Sequence, residues 1–198
     1  MRRIFIGTLV VLTIALINGC ANRKITRVDP NETIDLSGRW NDSDSRLVSE
    51  EMIGDLLTSA WLPRYTKAND KRPVVVVGLV ENKSHEHINS ETFIKDIEKA
   101  IIRDGNIRLV VAGEKRNELR KERAEQQDYA SPETTKKWGK ELGADFILQG
   151  TINSIVDAYK KQKVVTYQID LQLTNIETNE VVWMGDKKIK KQISDRIL

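Results

Sequence analysis

Two histidines on either side of a glutamate have the spacing that could support metal chemistry. His85 and His87 are two positions apart, so in an extended segment both imidazoles would project from one face. Imidazole nitrogens are common zinc ligands, but a site needs three or four ligands, and no third ligand follows Glu86 at a recognisable spacing. A solvated loop explains the three residues better. We therefore expect no metal ion and no cofactor.

The sequence contains no arrangement of nucleophile and base that indicates covalent catalysis. Neither histidine lies near a Gly-x-Ser-x-Gly turn, and no Gly-Lys-Ser/Thr phosphate loop is present. Glu133 and Glu141 could form the paired carboxylates of a glycosidase, but helix-dipole and surface roles explain them better. We predict that the protein is not an enzyme, with a periplasmic hydrolase as the open alternative.

Cys20 is the only cysteine, and its surroundings predict lipid attachment. Arg2 and Arg3 precede a short apolar run, which is typical of an export signal. The run is too short for a transmembrane helix, which needs about 20 apolar residues. A small residue comes directly before Cys20, and the segment resembles a bacterial lipobox. This resemblance implies a signal peptide at residues 1–19 and acylation of Cys20, and several acyl chains anchor a protein durably.

The residues after Cys20 bear on location and organisation. Ala21 stands where an aspartate is the usual signal for inner-membrane retention, so the resemblance implies the outer membrane and its periplasmic face. We interpret residues 20–42 as the lipidated cysteine and a flexible tether, and residues 43–198 as a single globular domain. Trp40, on the tether side, docks either on the domain or on a partner.

The charge balance argues against nucleic acid as a partner. The chain carries 32 Lys and Arg against 29 Asp and Glu, a net charge of +3. A nucleic-acid-binding domain is expected to show a basic face with interleaved aromatic residues, which is not visible here.

Hydrophobic periodicity predicts the helices and strands of the domain. Asp44 or Ser45 is expected to cap the first helix, and Pro63 to stop it. Asn89 or Ser90 is expected to start the second helix, and Gly105 to end it. The remaining predicted elements are strands at 74–80, 107–112, 145–152, 165–174 and 181–184, and helices at 114–127 and 131–142.

The last strands show the clearest pattern. Residues 165–174 alternate strictly between apolar and polar, as a half-buried strand does, and residues 177–180 turn the chain into a returning strand. Four lysines then follow, which we interpret as charges that blunt a sheet edge: Lys187, Lys188, Lys190 and Lys191. The whole order predicts an α/β (α+β) fold, with a mixed sheet of about four to five strands, helices packed on it and a C-terminal antiparallel meander.

Two stretches of the domain carry a family resemblance. They are Leu142-Gly143-Ala144-Asp145-Phe146-Ile147-Leu148-Gln149-Gly150 and Thr178-Asn179-Glu180-Val181-Val182-Trp183-Met184-Gly185. Together with the short polar loop after the first strand, they resemble the LpoB-type penicillin-binding-protein activators over most of residues 43–193. Periplasmic domains of the TolB N-terminal and curli-secretion lipoprotein types share the Gly-Ala-Asp strand.

The resemblance implies an activator without chemistry of its own. Such proteins reach from the outer membrane and bind a regulatory domain of a penicillin-binding protein, a bifunctional peptidoglycan synthase, and the better known members do so through a long Pro-rich linker. The tether here has about 22 residues and little proline. We expect a monomer whose partner-binding residues are Glu81, Asn82, Lys83 and Ser84, because polar loops that follow a central strand often bind partners. An ordinary solvated loop is the alternative.

A second function remains open from the sequence. A structural or secretion-associated periplasmic lipoprotein of the curli-assembly type would form rings and carry a long membrane-inserting amphipathic hairpin. The sequence pattern predicts no such hairpin.

Overall fold

The computed structural model describes residues 25–30, 32–131, 133 and 141–194. Cys20, the predicted signal peptide and most of the predicted helix at 131–142 lie outside these residues. The chain divides into two units, Met1–Glu32 and Thr33–Leu198. In the first unit the backbone N–H of Glu32 donates to the carbonyl of Asp29. All the helices and strands that the structure describes lie in the second unit.

The second unit alternates helices and strands and ends in three consecutive strands. Across the described residues, no helix combines the length and the apolar character that a membrane span requires. The elements are α1 (Asp42–Thr58), α2 (Trp61–Asn69), β1 (Val74–Asn82), α3 (Ser90–Asp104), β2 (Arg108–Val110), α4 (Gly113–Tyr129), β3 (Phe146–Tyr159), β4 (Gln162–Asn175) and β5 (Val181–Ser194).

The strands form one mixed sheet in the order β2-β1-β3-β4-β5. The valine-rich β1 lies between β2 and β3 and is parallel to both, while β3, β4 and β5 form an antiparallel meander. This confirms the predicted α/β fold with a mixed sheet and a C-terminal meander.

The core lies between one face of the sheet and the helices α1 and α3. These two helices contact each other, α1 also contacts β5, and α3 contacts β1 and β2. From α3, the side chains of Phe93, Ile97 and Ile101 are fully buried in this layer. The helix α4 has no buried residue, as expected for a solvated outer helix.

Both predicted boundaries of the first helix are wrong. Asn41 caps α1: its side chain accepts from the backbone N–H of Asp44, and the Asp44 carboxylate accepts from the backbone N–H of Asn41. This reciprocal pair is a capping box. Pro63 does not stop the helix either, because α1 ends at Thr58 and Pro63 lies in the first turn of α2. A proline is tolerated there since the first N–H groups of a helix have no partner within it.

The strands of the meander are longer than predicted, and β2 is shorter. Residues 153–164 form the end of a β3–β4 hairpin whose last pair is Tyr159 with Gln162. Ile155 and Tyr159 are exposed on this hairpin. The hairpin therefore extends well beyond the predicted strands at 145–152 and 165–174.

Gly150 in β3 occupies a position where no side chain fits. A Cβ atom there would lie 2.2 Å from the carbonyl oxygen of Asp170 and 2.5 Å from Cδ2 of Leu171, both in β4. Because a paired backbone cannot easily move away, we expect Gly150→Ala to lower the free energy of unfolding by about 1–3 kcal/mol. Urea denaturation monitored by circular dichroism measures this change.

Gly54 in α1 provides the matched control. No atom lies within 4 Å of a Cβ built at Gly54. Alanine favours a helix over glycine by up to about 1 kcal/mol, so Gly54→Ala should leave stability unchanged or raise it. Equal losses in the two variants would contradict the steric explanation.

Candidate functional site

The loop at residues 82–88 lies where β1 ends and the chain turns towards α3. Asn82 organises it from inside. Its side-chain amide donates to the carbonyl oxygen of Glu86 at 2.8 Å, and its Oδ1 accepts from the backbone N–H of Ser84 at 3.0 Å and from Ser84 Oγ at 2.7 Å. Asn82 and Ser84 are half-buried. Of the four predicted partner-binding residues, these two therefore shape the loop.

Glu81 and Lys83 lie on the outside of the same segment. Their side chains form an ion pair at 3.1 Å and are more than half exposed. The backbone N–H of Lys83 donates to the carbonyl of Ile152 in β3, so the backbone that carries the lysine is fixed. An exposed pair contributes about 0–1 kcal/mol, which means that either charge can exchange its partner at little cost.

His85 joins the loop to the meander. Its backbone N–H donates to Ser154 Oγ in β3 at 3.0 Å, and its Nδ1 lies 2.6 Å from the same oxygen. Its Nε2 is 3.4 Å from Glu86 Oε1. The neighbouring His87 is exposed. Within the described ranges, no three His, Cys, Asp or Glu side chains are grouped so that they could hold a metal ion.

Residues 33–41, which we call the strap, pack against the domain immediately before α1. The ring of Trp40 meets the ring of Tyr167 edge-on, with 5.5 Å between centroids. Its indole N–H donates to Ser45 Oγ at 3.0 Å. Gly38, with φ of +67°, passes so close to Ile193 that a Cβ would lie 2.4 Å from its side chain. The structure thus answers the question that the sequence left open, because Trp40 docks on the domain.

Glu86 connects the strap to the loop. Its side chain is 11% exposed, and its Oε2 accepts from the backbone N–H of Trp40 at 3.1 Å. Burial raises the pKa of the Tyr167 hydroxyl above its usual range, and the nearby Glu86 carboxylate acts in the same direction. An open pocket of about 280 Å³ lies beside this contact, lined by Arg39, Trp40, His85, Glu86, His87 and Lys163.

Lys191 of β5 fastens the strap to α1. An ammonium group has three donors, and this one has three acceptors: Asp35 Oδ1 and Asp44 Oδ2, both at 2.6 Å, and the carbonyl of Arg39 at 3.0 Å. The side chains of Lys191 and Asp44 are only 10% and 8% exposed. Although burial opposes it, the two carboxylates raise the pKa of Lys191.

The same ion pair makes the strap sensitive to acid. The hydrogen bond from Lys191 lowers the pKa of Asp35, and burial offsets this only in part. A carboxylate with a lowered pKa stabilises the fold fully above its unfolded value, about 3.9 for aspartate. That contribution is lost as the pH falls from there through the folded pKa.

Glu141 is poorly suited to the acid catalysis that a glycosidase requires. Its carboxylate accepts hydrogen bonds from Arg120 at 2.9 and 3.0 Å and from Arg123 at 3.1 Å. These contacts, led by Arg120, lower the pKa of Glu141 to about 2. A general acid needs a raised pKa, so this carboxylate stays ionised instead.

Sequence reasoning missed the strap and its contacts with Glu86 and Lys191. One local signal was available, since Asn41 followed three positions later by a carboxylate has the spacing of a capping box. That signal places the helix start correctly. The contact of Lys191 with Asp35, 156 positions away in the chain, leaves no local signal.

Lys191→Met tests whether the ammonium holds the strap. The change leaves the buried Asp44 carboxylate without its cation, and we expect it to lower the free energy of unfolding by about 3 kcal/mol at pH 7. Chemical denaturation gives the value, and the tryptophan fluorescence of the protein should shift as the ring of Trp40 becomes exposed.

Lys187→Met on the same strand is the matched control. Lys187 pairs with Glu51 of α1, but Glu51 is 61% exposed, so its charge remains hydrated when the lysine is removed. We expect a change of about 0–1 kcal/mol. A similar loss in both variants would mean that lysine packing, and not the buried charge, stabilises the strap.

Two residues of the family-like stretches hold the framework of the fold. Asp145 Oδ2 accepts from the backbone N–H of Val74 at 2.8 Å, which ties the start of β1 to the start of β3. The indole N–H of Trp183 donates to Asp55 Oδ2 at 2.8 Å, and this ties β5 to α1. Trp183 is buried in the core.

Comparisons with known proteins found similar solved structures and one protein family. Among solved structures, the chain is similar to the LpoB C-terminal domain from Escherichia coli, at 19% identity over 77% of this chain and 99% of that chain, with a TM-score of 0.46. It is also similar to the LpoB C-terminal domain from Salmonella enterica, at 16% identity over 74% of this chain and 98% of that chain, with a TM-score of 0.41. A third similar structure is the lipoprotein GNA1162 from Neisseria meningitidis, at 13% identity over 61% of this chain and 83% of that chain, with a TM-score of 0.39. No curated protein matches the sequence.

The match to a protein family is the decisive comparison. Residues 44–189 match the family described as peptidoglycan-synthase activator LpoB. The matched span begins inside α1 and ends inside β5, so it includes at least part of every described helix and strand. The chain therefore belongs to the LpoB family of peptidoglycan-synthase activators.

Proposed function

We propose that this chain is an outer-membrane lipoprotein, anchored through Cys20, that binds and activates a bifunctional penicillin-binding protein. The family match over residues 44–189 is the observation that carries this proposal. The protein acts without catalysis of its own. By binding the active conformer of the synthase more tightly than the inactive one, it raises the population of the active conformer.

The partner contacts the outer side of the 82–88 loop and the end of β1. Glu81 and Lys83 are exposed there, while Asn82 and Ser84 hold the loop in shape. Because the loop backbone is already fixed by Ile152 and Ser154, little conformational entropy is lost when a partner binds.

The strap limits how far the domain reaches from the membrane. Residues 21–32 join Cys20 to the strap, and twelve residues span at most about 45 Å even when fully extended. The regulatory domain of the synthase must therefore approach the outer membrane to within this distance plus the size of the domain.

A pull-down from membranes tests the partner. A soluble form that begins at Ile25 keeps the strap, and proteins recovered with it are identified by mass spectrometry. We expect a bifunctional penicillin-binding protein whose glycan polymerisation rate rises when the purified activator is added. Consistent recovery of a secretion complex without any synthase would overturn the proposal.

Lys83→Glu tests the loop within the same assay. The substitution reverses an exposed charge at the proposed interface, so we expect the affinity for the synthase to fall about tenfold with stability unchanged. Lys67→Glu in α2 makes the same charge change at an exposed position away from the loop and should have no effect. Equal behaviour of the two variants would place the interface elsewhere.

Cys20→Ser tests the anchor separately. Serine has no thiol to acylate, so the variant should leave the membrane fraction and appear in the soluble periplasmic fraction. Cell fractionation followed by immunoblotting measures this. A variant that stays with the membrane would contradict the lipobox interpretation.

The β3–β4 hairpin supports a second candidate, a secretion-associated lipoprotein of the curli-assembly type. Ile155 and Tyr159 are exposed on this hairpin, which extends to the two-residue turn at Lys160. Such a lipoprotein would form stable rings, whereas the activator is expected to be a monomer. Analytical ultracentrifugation of the full chain in detergent distinguishes the two.

A further inference from the structure

The outer edge of β5 is a long strand edge to which the described part of the chain adds no further strand. β5 ends the sheet order and pairs only with β4, in a regular antiparallel register from Gln162–Ser194 to Leu173–Trp183. Among the described residues, no backbone hydrogen bond from another element reaches its other side. Alternate residues of an edge strand direct both N–H and C=O outwards, which makes the edge a template for one more strand.

The lysines of β5 divide between the two faces of the sheet. On the helix side, Lys187 pairs with Glu51 of α1, and Lys191 with Asp35 and Asp44. The charges of Lys187 and Lys191 are therefore already paired with carboxylates of the same domain.

On the open side, Lys188 and Lys190 are exposed and form no ion pair within the described ranges. They stand opposite the uncharged Gln168 and Thr166 of β4. Asp186, two positions before Lys188 on the same face, stands opposite Asp170 of β4. The cationic part of this face is therefore limited to Lys188 and Lys190, and it favours an incoming strand that places carboxylates at alternate positions opposite these two residues.

Pairing of two copies of β5 about Ile189 is unfavourable. Lys188 of each copy would stand opposite Lys190 of the other, and Lys187 opposite Lys191. Like charges placed directly opposite each other destabilise an antiparallel pair. In this register the edge therefore disfavours pairing with a second copy of β5, while its lysines attract an acidic segment.

We infer that the outer edge of β5 binds an extended acidic segment of a partner protein as a sixth strand. Backbone hydrogen bonds provide affinity, and carboxylates two positions apart pair with Lys188 and Lys190. Met184, exposed further along the same face, offers an apolar contact at the end of the segment. This surface is separate from the 82–88 loop and does not depend on the synthase proposal.

A labelled peptide that alternates Glu with Thr or Val tests the inference. Titrated with the full chain in detergent, it should bind saturably by fluorescence anisotropy, and amide hydrogen exchange should slow within β5. The double variant Lys188→Glu/Lys190→Glu should weaken binding by about tenfold or more. The matched variant Lys160→Glu/Lys161→Glu makes the same charge change at the tip of the hairpin and should stay within about twofold.

A peptide with the same side chains but N-methylated at alternate backbone positions separates strand pairing from charge attraction. It keeps the carboxylates and cannot form the ladder, so we expect its binding to be lost. Equal binding of the two peptides, equal losses in the two double variants, or no binding of the acidic peptide would each overturn the inference. Dimers of the chain that form through β5 would do so as well.

Discussion

The strap, the first helix and the last strand all depend on the contacts that the ammonium group of Lys191 makes. Its three donors are satisfied by groups from the strap and α1, and its own position is set by the pairing of β5 with β4. Removing any of these segments leaves a buried charge uncompensated, which is expensive. The two ends of the domain are therefore coupled, and the place of Trp40 beside Glu86 follows from that coupling.

Local patterns in the sequence predicted those parts of the fold that local forces determine. The alternation in β4 and the caps of α3 at Asn89 and Gly105 all appear as expected, because each depends on near neighbours in the chain. The strap was interpreted as tether because its contacts reach Glu86 and Lys191, which no periodicity can reveal. Residues 153–164 lack a regular apolar alternation, so the length of the hairpin follows from strand pairing and not from burial.

The sequence predicted a polar loop after β1 but not the different roles of the residues in it. A polar loop after β1 marked the place, whereas the division between Asn82, which shapes the loop, and Lys83, which faces solvent, requires three-dimensional structure. Asp145 and Trp183, which lie in the family-like stretches, form hydrogen bonds within the fold. Asp145 accepts from the backbone of β1, and Trp183 donates to a side chain of α1. Similarity at these positions therefore reports a shared framework.

The strap also sets how the chain responds to mechanical load. A force that pulls on the chain ahead of Thr33 enters the domain through the strap before it reaches α1 or the sheet. The strap is held by the contacts of Asp35 and Arg39 with Lys191, by the ring contact of Trp40 with Tyr167, and by the hydrogen bonds of Trp40 to Glu86 and Ser45. Because these contacts are far fewer than the hydrogen bonds between the paired strands, the strap yields before the strands do. Its release would free nine residues and add at most about 30 Å of contour length. The domain thus carries a built-in extension that lengthens its connection without unfolding its core.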